Sequence, residues 1–208
     1  ERDSVGLSAQ FNGPDGLAID SGNILYVADT YNFTLRTITP AGVVATRAGS
    51  AGISGAYDGT GEFALFNLPY GVSVDSAANV YVADTGNNCI RRVTPNGVVT
   101  TLAGIAGIAG RRNGPNANAL FNQPQALVAA GSTTIYVLDT GNSVLRLVGA
   151  THTSSVALTT STTDSGSGGT DSSSGSGRLD AAFAAVAALL LLSRLAASGG
   201  GPRGAGRN

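Results

Sequence analysis

The stretch YVADTGNN, residues 81–88, decides the fold, because the chain writes it three times. It reads YVADTYNF at 26–33 and YVLDTGNS at 136–143, a fixed spacing of 55 residues. A constant internal period has to be read before any single residue. Working outward, the surrounding segments superpose without a gap. FNGPDGLAID (11–20), FNLPYGVSVD (66–75) and FNQPQALVAA (121–130) precede the phrase, and TLRTIT (34–39), CIRRVT (89–94) and VLRLVG (144–149) follow it. VVATRAG (43–49) and VVTTLAG (98–104) continue two of the repeats, each running into a Gly-rich stretch, AYDGTGEFAL or RRNGPNANAL. The opening ERDSVGLSAQ matches that same stretch, with Asp3, Gly6 and Ala9 in the places of Asp58, Gly61 and Ala64. Residues 1–10 therefore read as the end of a preceding repeat, followed by blades at 11–65, 66–120 and 121–160. On this reading the chain is a piece of a longer product.

Each repeat holds four short apolar runs separated by turn residues, which predicts four antiparallel strands. Val, Ile, Thr and Tyr dominate the runs, as in strands, and no helical period is present. ILYVA and VYVA are continuous rather than alternating, so both faces of the second strand should be buried. One four-stranded sheet cannot do that alone, whereas sheets stacked as propeller blades can. The fold class expected is all-β, with propeller blades in an incomplete ring of about three. Closed propellers use roughly 4–8 blades, so two apolar flanks should stay open and call for further blades or self-association.

The motifs F-N-x-P-x-G, Y-V-A-D-T-x-N and I-R-x-(I/V)-T-P-x-G-V-V-x-T resemble the NHL repeat, over residues 1 to about 150. That resemblance implies a β-propeller, usually of six blades. Within the wider group it implies binding modules and scaffolds, and also enzymes such as amidating lyases, which depend on His-bound metal.

Composition narrows the function. Charged residues are 12% of the chain, the twelve basic residues are all Arg, and the net charge is −1, so no bulk field draws nucleic acid. One histidine, His152, and one cysteine, Cys89, cannot assemble a His-rich zinc site. No nucleophile elbow occurs, since GVSVD (71–75) lacks the second glycine. No catalytic, metal-binding or cofactor-binding residue is expected. The chain reads as a non-enzymatic binding module for a protein or other ligand. The alternatives are a fragment of a propeller enzyme with catalytic residues upstream, or an intracellular scaffold for RNA or protein.

Residues that recur in all three repeats are expected to build the blade. Asp29, Asp84 and Asp139 should cap the turn after the second strand through backbone N–H groups. A ring of these carboxylates around a cation is the competing reading. Arg36, Arg91 and Arg146 should pair with those aspartates or with strand-end carbonyls. Phe11, Phe66 and Phe121 should fill the space between blades. Residues that break the pattern are the candidate ligand contacts: Tyr31, Tyr57, Tyr70, Arg92, Arg111 and Arg112. Asn32-Phe33-Thr34 is a glycosylation sequon placed by this reading on a surface turn.

Beyond the repeats, residues 161–180 are a Ser/Thr/Gly-rich linker expected to be a disordered stalk. Residues 181–197 are an apolar segment, read as a short helix and candidate membrane anchor, and 198–208 are a polar tail. Twelve uninterrupted apolar residues fall short of the ~20 that span a bilayer, and the count through Ala197 reaches seventeen, with Arg194 near one end. A head, a stalk and an apolar end together predict a secreted or cell-surface, membrane-anchored protein.

Overall fold

The computed structural model describes residues 2–156; the linker, apolar segment and tail lie outside the described residues. Three antiparallel sheets follow one another along the chain. The first holds β1 (Ser4–Val5), β2 (Pro14–Ile19), β3 (Leu25–Asp29), β4 (Thr34–Ile38) and β5 (Val43–Ala48) in the order β1-β5-β4-β3-β2. The second repeats that order with β6 (Gly59–Thr60), β7 (Pro69–Val74), β8 (Val80–Asp84), β9 (Cys89–Val93) and β10 (Val98–Ala103). The third uses β11 (Gly114–Pro115), β12 (Pro124–Ala129), β13 (Ile135–Asp139), β14 (Val144–Val148) and β15 (His152–Ser155).

Each sheet thus has one strand more than the four expected. The fifth is two residues long and comes from the Gly-rich stretch ahead of the blade. Gly59 and Thr60, for example, pair with Val99 and Val98 at the outer edge of the second sheet. Two residues carry no readable period, so the sequence pattern alone does not reveal them. Their effect is to tie each blade to the segment that leads into it.

The core lies between the blades. Tyr26, Ala28 and Leu35 of the first blade pack against Phe66, Val72 and Val82 of the second. Tyr81, Ala83 and Ile90 of the second then pack against Phe121, Leu127 and Val137 of the third. The same two surfaces meet at both junctions. This explains the continuous apolar second strands: all five residues of β8, in the middle blade, are buried. Burying each such Val, Leu or Phe contributes about 1.5–3 kcal/mol. At the free side of the first blade the equivalent surface stays open, with Leu17 61% exposed where Val72 and Leu127 are 7% and 4%. Phe66 and Phe121 are fully buried between blades, and Phe11, in the first blade, only partly.

Inner strands of neighbouring blades run very close. A Cβ on Gly16 would stand 2.1 Å from the carbonyl oxygen of Tyr70, and one on Gly71 would stand 2.4 Å from that of Gln125. Only glycine admits such an approach. The third blade carries Ala126 at this place. A further blade packed on its free side in the same manner would meet that methyl group.

Candidate functional site

The recurring polar residues form one buried motif per blade. In the second blade, Asp84 Oδ1 accepts the backbone N–H of Asn67 at 2.8 Å. Its Oδ2 accepts from Asn87 Nδ2 and from the Arg91 guanidinium, each at 2.8 Å. Both charged side chains of that ion pair are fully buried. Arg91 also donates to the carbonyls of Leu65 and Tyr57 and to Asp58 Oδ1, and its guanidinium lies 5.3 Å from the Phe66 ring centre. The first blade repeats this with Asp29, Asn32, Arg36 and Asp3, and the third with Asp139, Asn142 and Arg146. In the third blade Asn113 replaces the outer carboxylate, so Asp139 alone forms an ion pair with Arg146 among the described residues.

The recurring arginines therefore pair as expected, with the aspartate and with strand-end carbonyls. The aspartates differ from expectation in their backbone partner. That N–H belongs to the strand-entry Asn12, Asn67 or Asn122, 17 residues earlier, and not to the following turn. Long-range closure of this kind leaves no local sequence trace. Each carboxylate is saturated inside its own blade, so the three do not converge on a cation. Among the described residues no group of three His, Cys, Asp or Glu side chains is placed to hold a metal ion. Burial pushes the Asp84 carboxyl up, to about 6, against the opposing pull of Arg91 and of the Asn67 and Asn87 donors. Burial, then the adjacent Asp84, also pushes up the Cys89 thiol, which leaves it protonated and unreactive.

Asn32 corrects a sequence expectation. It sits in the turn between β3 and β4, but it is 7% exposed and its Nδ2 donates to Asp29 Oδ2 at 2.8 Å. The nitrogen a glycan would occupy is a buried donor of the blade motif. The sequon is a by-product of the recurring Asn, shared with Asn87 and Asn142.

The pattern-breaking residues do not form one patch. Tyr31 and Tyr70 come together from adjacent blades, near enough for one hydroxyl to affect the other. Tyr31 is 53% exposed, and its ring lies over Gly13, where an added Cβ would be 2.3 Å from it. The other blades place their bulk the opposite way, as Leu68 with Gly86 and as Gln123 with Gly141. The first blade has exchanged a large side chain from one turn position to the other, which sets an aromatic ring at the mouth between two blades. Burial, then the neighbouring Tyr31, raises the Tyr70 hydroxyl pKa, and Asp15 adds a smaller push from the position that Tyr70 and Gln125 occupy in the other blades. Sequence reasoning missed Asp15, although three different residue types at one repeat position were the available signal.

Tyr57 is exposed at the outer edge of the second blade, where its carbonyl serves Arg91. Arg111 and Arg112 are exposed beyond β10; Arg112 Nε donates to the Asn118 carbonyl at 2.7 Å. Arg92 lines a cavity between the second and third blades that neither of them lines.

Comparison with known proteins agrees with the architecture. The NHL repeat description matches residues 11–38 and 66–93. NHL repeat-containing protein 2 of Bos taurus is 32% identical over 153 residues, which cover 67% of this chain and 21% of that protein. Protein SUPPRESSOR OF QUENCHING 1, chloroplastic, of Arabidopsis thaliana is 36% identical over 94 residues, 44% of this chain and 9% of that protein. The chain thus spans about a fifth or less of the length of these curated relatives. A crystal structure of a Bacteroides thetaiotaomicron protein of unknown function superposes with a TM-score of 0.62 and 28% identity, over 72% of this chain and 37% of that one. With its three-fold motif of strand, buried Asp–Asn–Arg and inter-blade Phe, the chain belongs to the NHL-repeat β-propeller family.

Proposed function

We propose that the chain is a non-enzymatic binding module that takes a protein or peptide ligand at the turn face carrying Tyr31 and Tyr70. One observation carries this reading. Two tyrosines from neighbouring blades lie close together at positions where the repeat does not require them, with Tyr31 half exposed. A rigid aromatic side chain offers large contact area with little entropy lost on immobilisation, which is why Tyr is enriched at binding hot spots. The hydroxyls and Asp15 give the same surface polar contacts able to fix orientation. Display outside the cell, with 161–180 as stalk and 181–197 as anchor, accords with the sequence of those segments.

The test is selection of a displayed random-peptide library on the full chain, with counter-selection on Tyr31→Ala/Tyr70→Ala. Enriched peptides should bind the double variant about tenfold more weakly or worse. Peptides that bind both proteins equally, or no enrichment at all, would refute the assignment of this face.

A further inference from the structure

The hairpin turns opposite the tyrosine pair enclose a second feature. Between the second and third blades lies a cavity of about 170 Å³. Tyr81, Leu102 and Ile135 give it apolar walls, and Arg92, Ser132 and Thr133 give it polar groups. Three observations point to a ligand.

First, the Arg92 side chain, on an exposed residue, lines the cavity with its guanidinium making no ion pair or hydrogen bond among the described residues. Second, the carboxylate that the Tyr81 hydroxyl reaches is already used. Asp75 accepts from the backbone N–H groups of Ala77 and Asn79, from Asn79 Nδ2 and from the Tyr81 hydroxyl, at 2.8–3.0 Å. Third, the polar groups appear together, on both walls, at positions where the repeat has none of them. Thr37 and Leu147 stand at the place of Arg92, while Gly22-Asn23 and Ala77-Ala78 stand at the place of Ser132-Thr133. At the first junction the cation near the equivalent tyrosine is Arg47, at the place of Leu102, with Ala77 and Ala78 opposite; a guanidinium facing two hydroxyls is particular to the second junction among the described blades.

We propose that this junction binds a monocarboxylate on a short, branched apolar body. The carboxylate pairs with Arg92 and accepts from the Ser132 and Thr133 hydroxyls, while the hydrocarbon lies against Leu102 and Ile135. A planar guanidinium suits a carboxylate geometrically. The volume is below the ~300 Å³ at which sites for drug-sized ligands begin, so the body is small. A single cation lining the cavity disfavours a phosphate dianion.

Calorimetric titration of the full chain tests this with isovalerate, N-acetyl-valine, N-acetyl-valine amide and inorganic phosphate. Saturable binding of an acid is expected, with no binding of the amide. Arg92→Gln should weaken it about tenfold or more, as expected for a lost charge-assisted pair, with an unchanged melting midpoint. Ser132→Ala/Thr133→Val should weaken it less. Equal binding of isovalerate and N-acetyl-valine identifies a free short acid as the ligand class, and binding of N-acetyl-valine alone identifies a chain terminus. The proposal fails if neither acid saturates, if the amide or phosphate binds as well as the acids, or if Arg92→Gln binds like wild type.

Discussion

Removal of Asp84 is the sharpest probe of what holds the blades. In Asp84→Ala the Asn67 N–H and one Asn87 Nδ2 hydrogen lose their acceptor, and Arg91 loses its buried counter-charge. Arg91 remains fully buried, held by Asp58, a half-exposed carboxylate at 2.8 Å, and by two carbonyls. Breaking a buried pair from one side costs about 3–5 kcal/mol, because the remaining charge stays desolvated. Each orphaned donor adds to that, so the upper half of the range is expected. Against a typical domain stability of about 5–15 kcal/mol this is about a quarter or more of the total. Asp58→Ala, at the half-exposed end of the same arginine, should cost less than Asp84→Ala, although Thr101 also loses its acceptor. Asp139→Ala should be at least as damaging as Asp84→Ala, since Arg146 has no second carboxylate among the described residues. Urea unfolding of the three variants measures all of this, with the midpoints compared at constant slope. A loss below about 1 kcal/mol for Asp84→Ala, or a larger loss for Asp58→Ala, would refute the view that the buried pair is the blade's polar anchor.

Other outcomes follow from the same geometry. Asn32 should carry no glycan when the full chain is made in a eukaryotic secretory host, and Asn32→Ala should lose about 1.5–3 kcal/mol, the worth of a hydrogen bond to a charged group; an N-glycosidase mobility shift abolished by Asn32→Gln would contradict this. Gly71→Ala should destabilise by about 1–3 kcal/mol by driving apart β7 and β12, whereas Ala126→Gly should cost no more than about 1 kcal/mol; equal effects in thermal melts would show that the close approach is not limiting. Burial, then the hydrogen bond to Asp75, pushes the Tyr81 phenol up to about 12. Its neutral form is thus favoured in the fold, and the stability it contributes is present below about 10 and lost as pH rises towards 12. Tyrosine absorbance titration should show a late step that Tyr81→Phe removes.

The blade was legible because its determinants are local and repeated. Strand composition, the fixed period and the continuous apolar β8 run all point to stacked sheets, and the arginine pairing followed from the recurrence of opposite charges. The partner of Asp84 was not legible, because Asn67 is brought to it by the closure of β7 against β8 and not by sequence neighbourhood. Asn32 misled for a related reason: a turn position was equated with a surface position, yet this turn folds its amide inward onto a carboxylate. The candidate contacts were picked out as departures from the repeat; of these, Tyr31 and Tyr70 lie near one another and Arg92 lines a cavity. That filter does not report which departures share a surface, and it overlooked Ser132 and Thr133, whose meaning depends on the cavity they share with Arg92.

The claim that three blades stack through one repeated interface is tested most directly at three equivalent positions. Leu17, Val72 and Leu127 occupy the same place in successive blades, at 61%, 7% and 4% exposure. Each is replaced singly by cysteine in the full chain, and the rate of reaction with a thiol reagent is measured under native conditions; buried Cys89, its thiol pKa raised, contributes no background. If the blades stack as described, Val72→Cys and Leu127→Cys are modified only as fast as the blades open, and no faster than Leu17→Cys. Rapid modification of Val72→Cys or Leu127→Cys would contradict the repeated interface.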